Sequence, residues 1–394
     1  MTDDVDVYVN GRAEDAARRA QRVAVRRRRR VLLLTVALLL IATVFAALYV
    51  AGSFSTPDFD GSGDGAVVVE VRDGATTTQI GGVLARSGVV ASVGAFTEAA
   101  LSENRIRSVQ PGYYQMRLRM SGTSAVALLL DPAARVGRLE IRGGVQLDDT
   151  RVPDGTVAPG VLTLISRATC AGVDGQQRCV SVDDLRATMA GTDPTELGVP
   201  EWAVADVRAA DPVRRLEGLL LPGLYDVQPD TSAVEVLRRV VEVSAARLEA
   251  SGLVAGAQAV DLEPYQVLII SSLVEKEGIT PDMPNVARVI YNRLADEQRL
   301  ELDSTVNYPL DLQALRTTRE ARARVGPYNS YAVAGLPPTP IAAPGRDAVA
   351  AAIAPADGPW LFFVRCQPDG TSCFGKTLEE HQVNVATAIR NGAI

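Results

Sequence analysis

Histidine and lysine are nearly absent from this sequence. It contains one histidine, His381, and two lysines, Lys276 and Lys376. A zinc centre usually combines several histidine and cysteine ligands, and none of the four cysteines has CxxC spacing. Zinc binding is therefore only a weak alternative for this chain. No serine or cysteine nucleophile motif accompanies His381, so its default interpretation is a hydrogen-bonding or core histidine.

The part of the chain after residue 30 also lacks an excess of positively charged residues. The formal net charge is −7, although residues 1–30 contain nine arginines against five acidic residues. Nucleic-acid binding depends on many Lys and Arg contacts with phosphate groups, so the acidic remainder excludes that function. The basic N-terminal segment ends in Arg26–Arg30, directly before an apolar run.

That apolar run, Val31–Val50, has 20 residues and no charge. As a helix it is long enough to cross a hydrocarbon layer of about 30 Å. A cleaved signal peptide is the alternative, but its apolar segment has only about 7–15 residues. The positive-inside rule then predicts a cytoplasmic tail at 1–30, a transmembrane helix at 31–51 and an extracellular or periplasmic remainder. We therefore expect a single-pass protein of the cell membrane.

The cysteines agree with this topology. Cys170 and Cys179 lie nine residues apart, Cys366 and Cys373 lie seven apart, and all four fall on the predicted outer side, where disulfides persist. Two local bridges are the simplest interpretation. Sequence alone leaves the connectivity open.

The periodicity of apolar residues predicts an α+β protein. A linker rich in Gly, Ser, Asp and Pro at 52–65 precedes a small α+β module at 66–140 and a larger α+β domain at 141–394. The predicted strands are Val67–Val71, Gly112–Met116, Arg138–Ile141 and Trp360–Arg365. The predicted helices are Thr77–Ser87, Val93–Ser102, Thr123–Leu130, Thr231–Leu248, Leu262–Glu277, Met283–Leu294, Arg346–Ile353 and Thr377–Arg390.

The helix Leu262–Glu277 carries two glutamates at its end, Glu275 and Glu277. Residues two apart lie about 200° apart around a helix, so both cannot face one site. Most apolar residues of the helix cluster around the direction of Glu277, whereas Ser271 and Ser272 lie on the side of Glu275. We therefore expect Glu277 to leave an apolar face with a raised pKa, protonated and able to donate a proton. The alternative is a solvated glutamate at a frayed helix end, paired with an arginine.

Polar and aromatic residues are concentrated in the segments 291–308 and 327–341. Both segments are rich in Asn and Tyr, and the second also contains a run of prolines. Sugars are commonly held by amide or carboxylate hydrogen bonds and by aromatic faces. The composition therefore favours a glycan-binding groove, although each segment alone is also typical of a surface loop.

Residues 370–377 match the phosphate-loop pattern GxxxxGK[ST]. Only 17 residues follow Thr377, too few for the later strands of a nucleotide-binding fold. Cys366 and Cys373 also flank Pro368–Gly370, which is typical of a cross-linked hairpin. We therefore reject nucleotide binding.

Six ordered segments resemble the endolytic murein transglycosylase family, also called the YceG-like family. They are LEGLLLPGLY at 216–225, SSLVEKEG at 271–278, VARVIYNRL at 286–294, LDSTVNY at 302–308, residues 328–345 with their Tyr, Asn and Pro positions, and FGKTLEEH at 374–381. The resemblance covers the predicted outer portion. It implies a single N-terminal anchor, a LysM-like module and an α+β catalytic domain.

The resemblance also implies a reaction. Glu277 matches the catalytic acid of the family and would protonate the glycosidic oxygen between N-acetylmuramic acid and N-acetylglucosamine. The same carboxylate would then accept the proton of the C6 hydroxyl, which closes a 1,6-anhydro ring without water, metal or organic cofactor. The implied partners are nascent peptidoglycan strands and the penicillin-binding synthases that make them.

Substrate contacts are expected from residues within the matching segments. They are Glu217, Glu275, Tyr291, Asn292, Arg293, Asp303, Thr305, Tyr328, Asn329, Tyr331 and His381. Four residues depart from the family pattern: Gly278 for Thr, Gly223 for Asp, Ser304 for Pro and Gln382 for Asn. A catalytically inactive peptidoglycan-binding scaffold for wall synthases is therefore the alternative function.

Overall fold

The computed structural model describes residues 28, 32–47, 56–173, 176–313 and 317–394. The chain divides into two compact units, Met1–Asp58 and Phe59–Ile394. In the first unit residues 32–47 are helical. Within the described ranges, no helix combines the length and the apolar character needed to cross a membrane. Two parts of the predicted N-terminal region lie outside the described residues: the tail except Arg28, and Val31 with residues 48–50 of the anchor.

The second unit begins with a small module built around two antiparallel strands. Strand β1 (Ser62–Val71) pairs with β2 (Gly112–Met120), and α1 (Thr77–Arg86) and α2 (Val93–Leu101) connect them. Helix α3 (Gly122–Leu129) follows β2. Their apolar faces meet in a separate core in which Leu84, Phe96 and Met116 are fully buried. The short strand Arg135–Val136 (β3) extends the sheet beside β2.

Strand β1 begins inside the predicted linker 52–65. Its first residues, from Ser62 to Asp64, pair with Met120 and Leu118, and a bulge follows before Val67. Gly63 has φ +71°, and a Cβ atom there would lie 2.3 Å from the Leu118 carbonyl oxygen. Glycine is thus required by close strand packing at a position where composition alone predicted a flexible linker.

The larger part of this unit, residues 138–394, is mainly helical with a second apolar core. Its strands are Arg138–Ile141 (β4), Thr150–Arg151 (β5), Val157–Ala158 (β6), Ala171–Val173 (β7), Gln176–Arg178 (β8), Gly223–Asp226 (β9), Phe362–Arg365 (β10) and Ser372–Gly375 (β11). They form two-stranded sheets β4–β9, β5–β6, β7–β8 and β10–β11. Its α-helices are Val161–Ala168 (α4), Val182–Gly191 (α5), Glu201–Ala209 (α6), Ala233–Ala250 (α7), Leu253–Ala259 (α8), Pro264–Glu277 (α9), Met283–Ala295 (α10), Asp303–Asn307 (α11), Arg319–Arg322 (α12), Arg346–Ile353 (α13) and Leu378–Arg390 (α14).

Helix α9 lies at the centre of the second core. It starts two residues later than predicted because Pro264 occupies its first turn, and Glu263 and Gln266 form a reciprocal capping box there. It ends at Glu277, and Gly278 continues in an extended conformation with φ −110°. Helices α10 and α13 pack against it, which positions its C-terminal end for the site described below.

Two hairpins carry the disulfide bridges. Cys170 and Cys179 are joined around β7–β8 with an S–S distance of 2.04 Å, and Cys366 and Cys373 around β10–β11 with 1.98 Å. The residues that match the phosphate-loop pattern therefore form the turn and second strand of a hairpin and the start of α14.

Candidate active site

The carboxyl group of Glu277 lies at the C-terminal end of α9 and is half-buried. The backbone N–H of Ser304 donates a hydrogen bond to its Oε1 atom over 3.4 Å. In the described part of the chain, no basic group forms an ion pair with it. Burial raises the pKa of Glu277, while hydrogen bonding from Ser304 and the charge of Arg365 partly oppose that shift. Burial thus favours the protonated form of this carboxyl group, and the residue keeps partial access to solvent.

The surroundings of α9 correct the predicted division into an apolar and a polar face. Ser271 and Ser272 are fully buried, and their hydroxyls donate to the carbonyls of Val267 and Ile269 over 2.7 Å each. Ser272 Oγ also accepts the N–H of Ile341 over 3.0 Å. Serine can be buried within a helix when its hydroxyl bonds to the preceding turn, so the helical wheel overstated the polarity of that side.

Glu275 connects the end of α9 to two glycine-containing loops. Its Oε2 accepts the N–H of Gly345 over 2.8 Å. A Cβ atom at Gly143 would lie 2.3 Å from Oε1, and one at Gly345 would lie 3.0 Å from Oε2. Burial raises the pKa of Glu275. Its carboxylate therefore braces the loops around α9, a structural role in place of the predicted substrate contact.

Lys276 reinforces the same connection. Its Nζ donates to the carbonyl of Gly144 over 3.2 Å. Burial lowers its pKa, and the carboxyl groups of Glu277, Glu217 and Glu275 partly offset that shift. The ammonium group therefore lies among three acidic side chains without forming a close ion pair with any of them, within the described ranges.

Asp303 lies beside Ser304 at the start of α11 and is held by several partners. It accepts hydrogen bonds from Thr317 Oγ1 over 2.6 Å and from the Tyr331 hydroxyl over 2.8 Å, and it pairs with Arg322 at 3.1 Å. The Arg322 guanidinium also stacks over the Tyr331 ring, 4.7 Å from its centroid. The charge of Asp303 helps to raise the pKa of Glu277. Asp303 and Tyr331 are the predicted substrate residues that the structure brings near the acid.

Three predicted substrate residues on α10 have other partners. The Tyr291 hydroxyl donates to Ala352 O over 2.8 Å, and Asn292 Nδ2 donates to Gly358 O and Trp360 O over 3.0 and 2.8 Å. Arg293 is 8% exposed and donates to the carbonyls of Leu361, Arg299 and Leu300. Carbonyl groups outside a sheet or a helix interior have no regular backbone donor, so these side chains supply the hydrogen bonds that they need. The predicted groove wall is therefore a scaffold for the loops around α10.

Most of the remaining predicted contacts are also internal. Thr305 and Asn329 are 0% and 6% exposed, and the amide of Asn329 donates to the carbonyls of Arg322 and Arg324. The Tyr328 hydroxyl bonds with Thr339 Oγ1 over 2.8 Å. His381 stacks on Phe362 with ring centroids 5.2 Å apart. The residues of the expected cleft, Tyr291, Asn292, Asp303, Tyr328 and Asn329, thus all have partners within the fold, and the cleft itself stays a prediction.

Glu217 has the most altered environment among the predicted substrate residues. It is 2% exposed and accepts the N–H of Leu147 over 3.1 Å. Burial raises its pKa to about 8, against the opposing influence of that hydrogen bond and of Arg214. A side chain so deeply buried is a protonated core acid at neutral pH, not a substrate ligand.

Asn292 offers a direct test of the scaffold role. Replacing Asn292 with alanine leaves two loop carbonyls without their donor, so we expect the free energy of unfolding to fall by about 1–3 kcal/mol. The side chain of Asn285, on the same helix, forms no hydrogen bond with the described residues. Asn285→Ala should therefore change the free energy of unfolding by less than about 0.5 kcal/mol. Urea denaturation measures both. A raised KM with unchanged stability in Asn292→Ala would instead restore the substrate-binding interpretation.

Ser304 and Arg365 were not among the predicted site residues. Ser304 is a departure from the family pattern, and Arg365 lies outside the six matching segments. Ser304 acts on Glu277 through a hydrogen bond and Arg365 acts through its charge, and both residues are far from Glu277 in sequence. The backbone N–H donated by Ser304 is a group that the proline of the family pattern lacks.

A second prediction concerns the Ser304 hydroxyl. The Ser304 side chain lowers the pKa of Glu277, although its buried hydroxyl forms no hydrogen bond with the described residues. Ser304→Ala should therefore raise that pKa and move the basic limb of the kcat/KM profile to higher pH. Ser304→Thr keeps a hydroxyl and should leave the limb close to that of the wild type. The measurement is the pH dependence of glycan cleavage. A downward shift in the alanine variant would contradict the assignment.

Two departures from the family pattern have local explanations. Gly278 has φ −110°, and a Cβ atom there would lie 3.3 Å from Val286 Cγ2, so a larger residue needs only a small adjustment. Gly223 has φ +145°, and a Cβ atom would lie 2.4 Å from a guanidinium nitrogen of Arg247. That guanidinium donates to Leu224 O over 2.8 Å and stacks over the Tyr225 ring.

The chain is similar in sequence to proteins of one family. The model of the YceG-like family matches residues 69–387. The chain is 30% identical over 184 residues to the endolytic murein transglycosylase of Bacillus subtilis (46% of this chain, 50% of the relative), and 24% identical over 369 residues to that of Streptococcus pneumoniae (88% and 64%).

A solved structure is also similar. The crystal structure of a yceG-like protein from Listeria monocytogenes matches with a TM-score of 0.53 and 26% identity, and the match covers 81% of this chain and 98% of that one. The chain spans about half to two thirds of the length of the two curated relatives. Because the family model matches most of the sequence, the chain belongs to the YceG-like family.

Proposed function

We propose that this protein is an endolytic transglycosylase that cleaves peptidoglycan glycan strands. The observation that carries the proposal is the carboxyl group of Glu277, half-buried, without an ion pair in the described structure, and raised in pKa by burial. The names of the curated relatives, endolytic murein transglycosylases, support the substrate class. Cleavage of nascent strands would end their elongation and set their length.

In the proposed mechanism Glu277 acts first as acid and then as base. The protonated carboxyl group donates its proton to the oxygen between N-acetylmuramic acid and N-acetylglucosamine as that bond breaks. The resulting carboxylate then accepts the proton of the C6 hydroxyl, whose oxygen bonds to C1 and closes a 1,6-anhydro ring. One carboxyl group suffices because no water attacks, in contrast to ordinary glycosidases. The Ser304 N–H favours the carboxylate between the two steps.

Two further proposals concern location and binding. We infer that Val31–Val50 anchors the chain in the cell membrane with its N-terminus in the cytoplasm, from the length of the apolar run and the preceding arginines. The β–α–α–β order of the module that starts at Ser62 supports the LysM-like interpretation. Penicillin-binding synthases are the proposed partners because they make the strands that the enzyme would cut.

The test uses the full-length protein and uncrosslinked glycan strands in water enriched in ¹⁸O. Products ending in 1,6-anhydro-N-acetylmuramic acid without ¹⁸O, identified by mass spectrometry, are expected. Products that carry ¹⁸O at the new reducing end would show hydrolysis and overturn the mechanism. Binding of strands without any cleavage would replace the enzyme with the peptidoglycan-binding scaffold.

A further inference from the structure

Arg365 is a basic side chain beside Glu277 whose binding capacity is not used within the fold. It is partly exposed, and its guanidinium forms no hydrogen bond or ion pair with the described residues. Nearby basic groups are occupied: Arg322 pairs with Asp303, and Lys276 donates to Gly144 O. A guanidinium presents five N–H donors in a rigid fork that matches a carboxylate.

The hairpin β10–β11 holds Arg365 against the segment that follows Glu277. Arg365 is the last residue of β10 and pairs with Ser372, whose N–H donates to Asp282 Oδ2 over 2.6 Å. At the turn, a Cβ atom on Gly370 would lie 3.2 Å from Ile279 Cγ2. Ile279 and Asp282 follow Glu277 by two and five residues. The hairpin is thus docked at two points directly beyond the acid.

The disulfide restrains the same hairpin. Cys366 follows Arg365 immediately and is bonded to Cys373 on β11. Arg365 and Ser372 are paired residues, so their side chains leave the same face of the hairpin, and Ser372 is 9% exposed on that face. Arg365 therefore leaves the hairpin on the same face as Ser372, from a backbone that the disulfide restrains, and its charge acts on Glu277.

We propose that Arg365 binds a carboxylate of the peptide attached to the muramic acid residue next to the cleaved bond. This inference rests on the proposed function, because only a peptidoglycan strand bound for cleavage would bring a stem-peptide carboxylate to Arg365. In peptidoglycan the N-acetyl sugars are uncharged, and the stem peptides carry the free carboxylates. A guanidinium without a partner, near the acid, can bind a carboxylate of the stem peptide. The uncharged sugars would then be bound by neutral groups.

The alternative role of Arg365 is purely electrostatic. Its charge lowers the pKa of Glu277 from a distance beyond ion-pair contact. If that were its main role, replacing it would change the pH profile equally for substrates with and without peptides. A binding role predicts an effect on KM that depends on the peptide.

The test compares full-length wild type, Arg365→Gln and a matched control on two substrates. The substrates are uncrosslinked strands with stem peptides and the same strands stripped of peptides by an amidase, with the lactyl carboxylates that the amidase exposes then converted to amides. Arg178 is the control, because it also precedes a disulfide-bonded cysteine, Cys179, at the end of a two-stranded hairpin, and is exposed. Arg178→Gln should behave as wild type on both substrates.

For Arg365→Gln we expect KM on peptide-bearing strands to rise roughly tenfold to a hundredfold, with kcat changed much less. KM on stripped strands should change less than about threefold. An equal change on both substrates, or no change on either, would overturn the proposal.

A binding measurement separates this inference from the proposed function. The affinity of the Glu277→Gln protein for both substrates is compared with that of the same protein carrying Arg365→Gln. A peptide-dependent loss of affinity would support the carboxylate site even if the wild type proved unable to cleave. Equal affinities with and without Arg365 would refute the site even if cleavage were observed.

Discussion

Replacing Glu277 with glutamine is expected to reduce the rate of glycan cleavage by roughly 10²- to 10⁴-fold, the usual contribution of a positioned general acid. Glutamine keeps the shape of the side chain and an oxygen that can accept the Ser304 N–H. It has no proton to transfer, so both proton transfers fail. The release of anhydro-ended products over time measures the effect.

Glu275→Gln is the matched control because Glu275 lies on the same turn of α9. Glutamine still offers an oxygen to the N–H of Gly345, so the loops around the helix should keep their positions. We expect the rate to fall no more than a few-fold and circular dichroism to be unchanged for both variants. Equal rates for Glu277→Gln and wild type would remove Glu277 from the mechanism.

The second large effect concerns stability and arises from Glu217. Its pKa is about 8 in the folded protein, compared with 4.5 for an ordinary glutamate. A raised folded-state pKa means that the native protein retains a proton that the unfolded chain releases. Stability is therefore highest below about pH 4.5, falls as the pH rises to about 8, and then levels off. The total loss from this one group is up to about 5 kcal/mol, at about 1.4 kcal/mol per pH unit.

Glu217→Gln should remove that pH dependence. Glutamine can still accept the Leu147 N–H but does not ionise, so the variant should be more stable than wild type at pH 8.5 and similar to it at pH 5. Urea unfolding followed by tryptophan fluorescence is suitable, because both tryptophans, Trp202 and Trp360, lie in the larger part of the chain. Glu196→Gln, on the surface, should follow the wild type at both pH values. Parallel pH dependence in Glu217→Gln and wild type would mean that Glu217 is ionised in the fold.

Burial gives these two glutamates different environments, although both belong to sequence segments that match the family pattern. Glu217 is enclosed by the core, whereas Glu277 ends a helix at its edge. Periodicity placed the end of α9 at the correct residue because Gly278 follows directly. It could not reveal that Ser271 and Ser272 are fully buried and that Ser272 accepts the N–H of Ile341.

The predicted substrate residues have partners within the fold for a related reason. Asn, Arg and Tyr suit both sugars and backbone carbonyls, since either partner offers oxygen atoms to the same donors. The choice between them depends on which loop lies beside each side chain. Asn292, for example, bonds to residues 66 and 68 positions later in the chain, and no local pattern specifies that proximity.

The amino-acid sequence by itself determined the α+β class, most helix positions, the spacing of the two cysteine pairs and the identity of the acidic residue at the end of α9. These features depend on local periodicity, capping and chain breaks, which are encoded within a few residues. Only the tertiary structure decided the protonation environment of Glu277 and Glu217, the scaffold role of the polar motifs and the position of Arg365. Those properties come from burial and from contacts between distant segments, and such contacts exist only once the chain has folded.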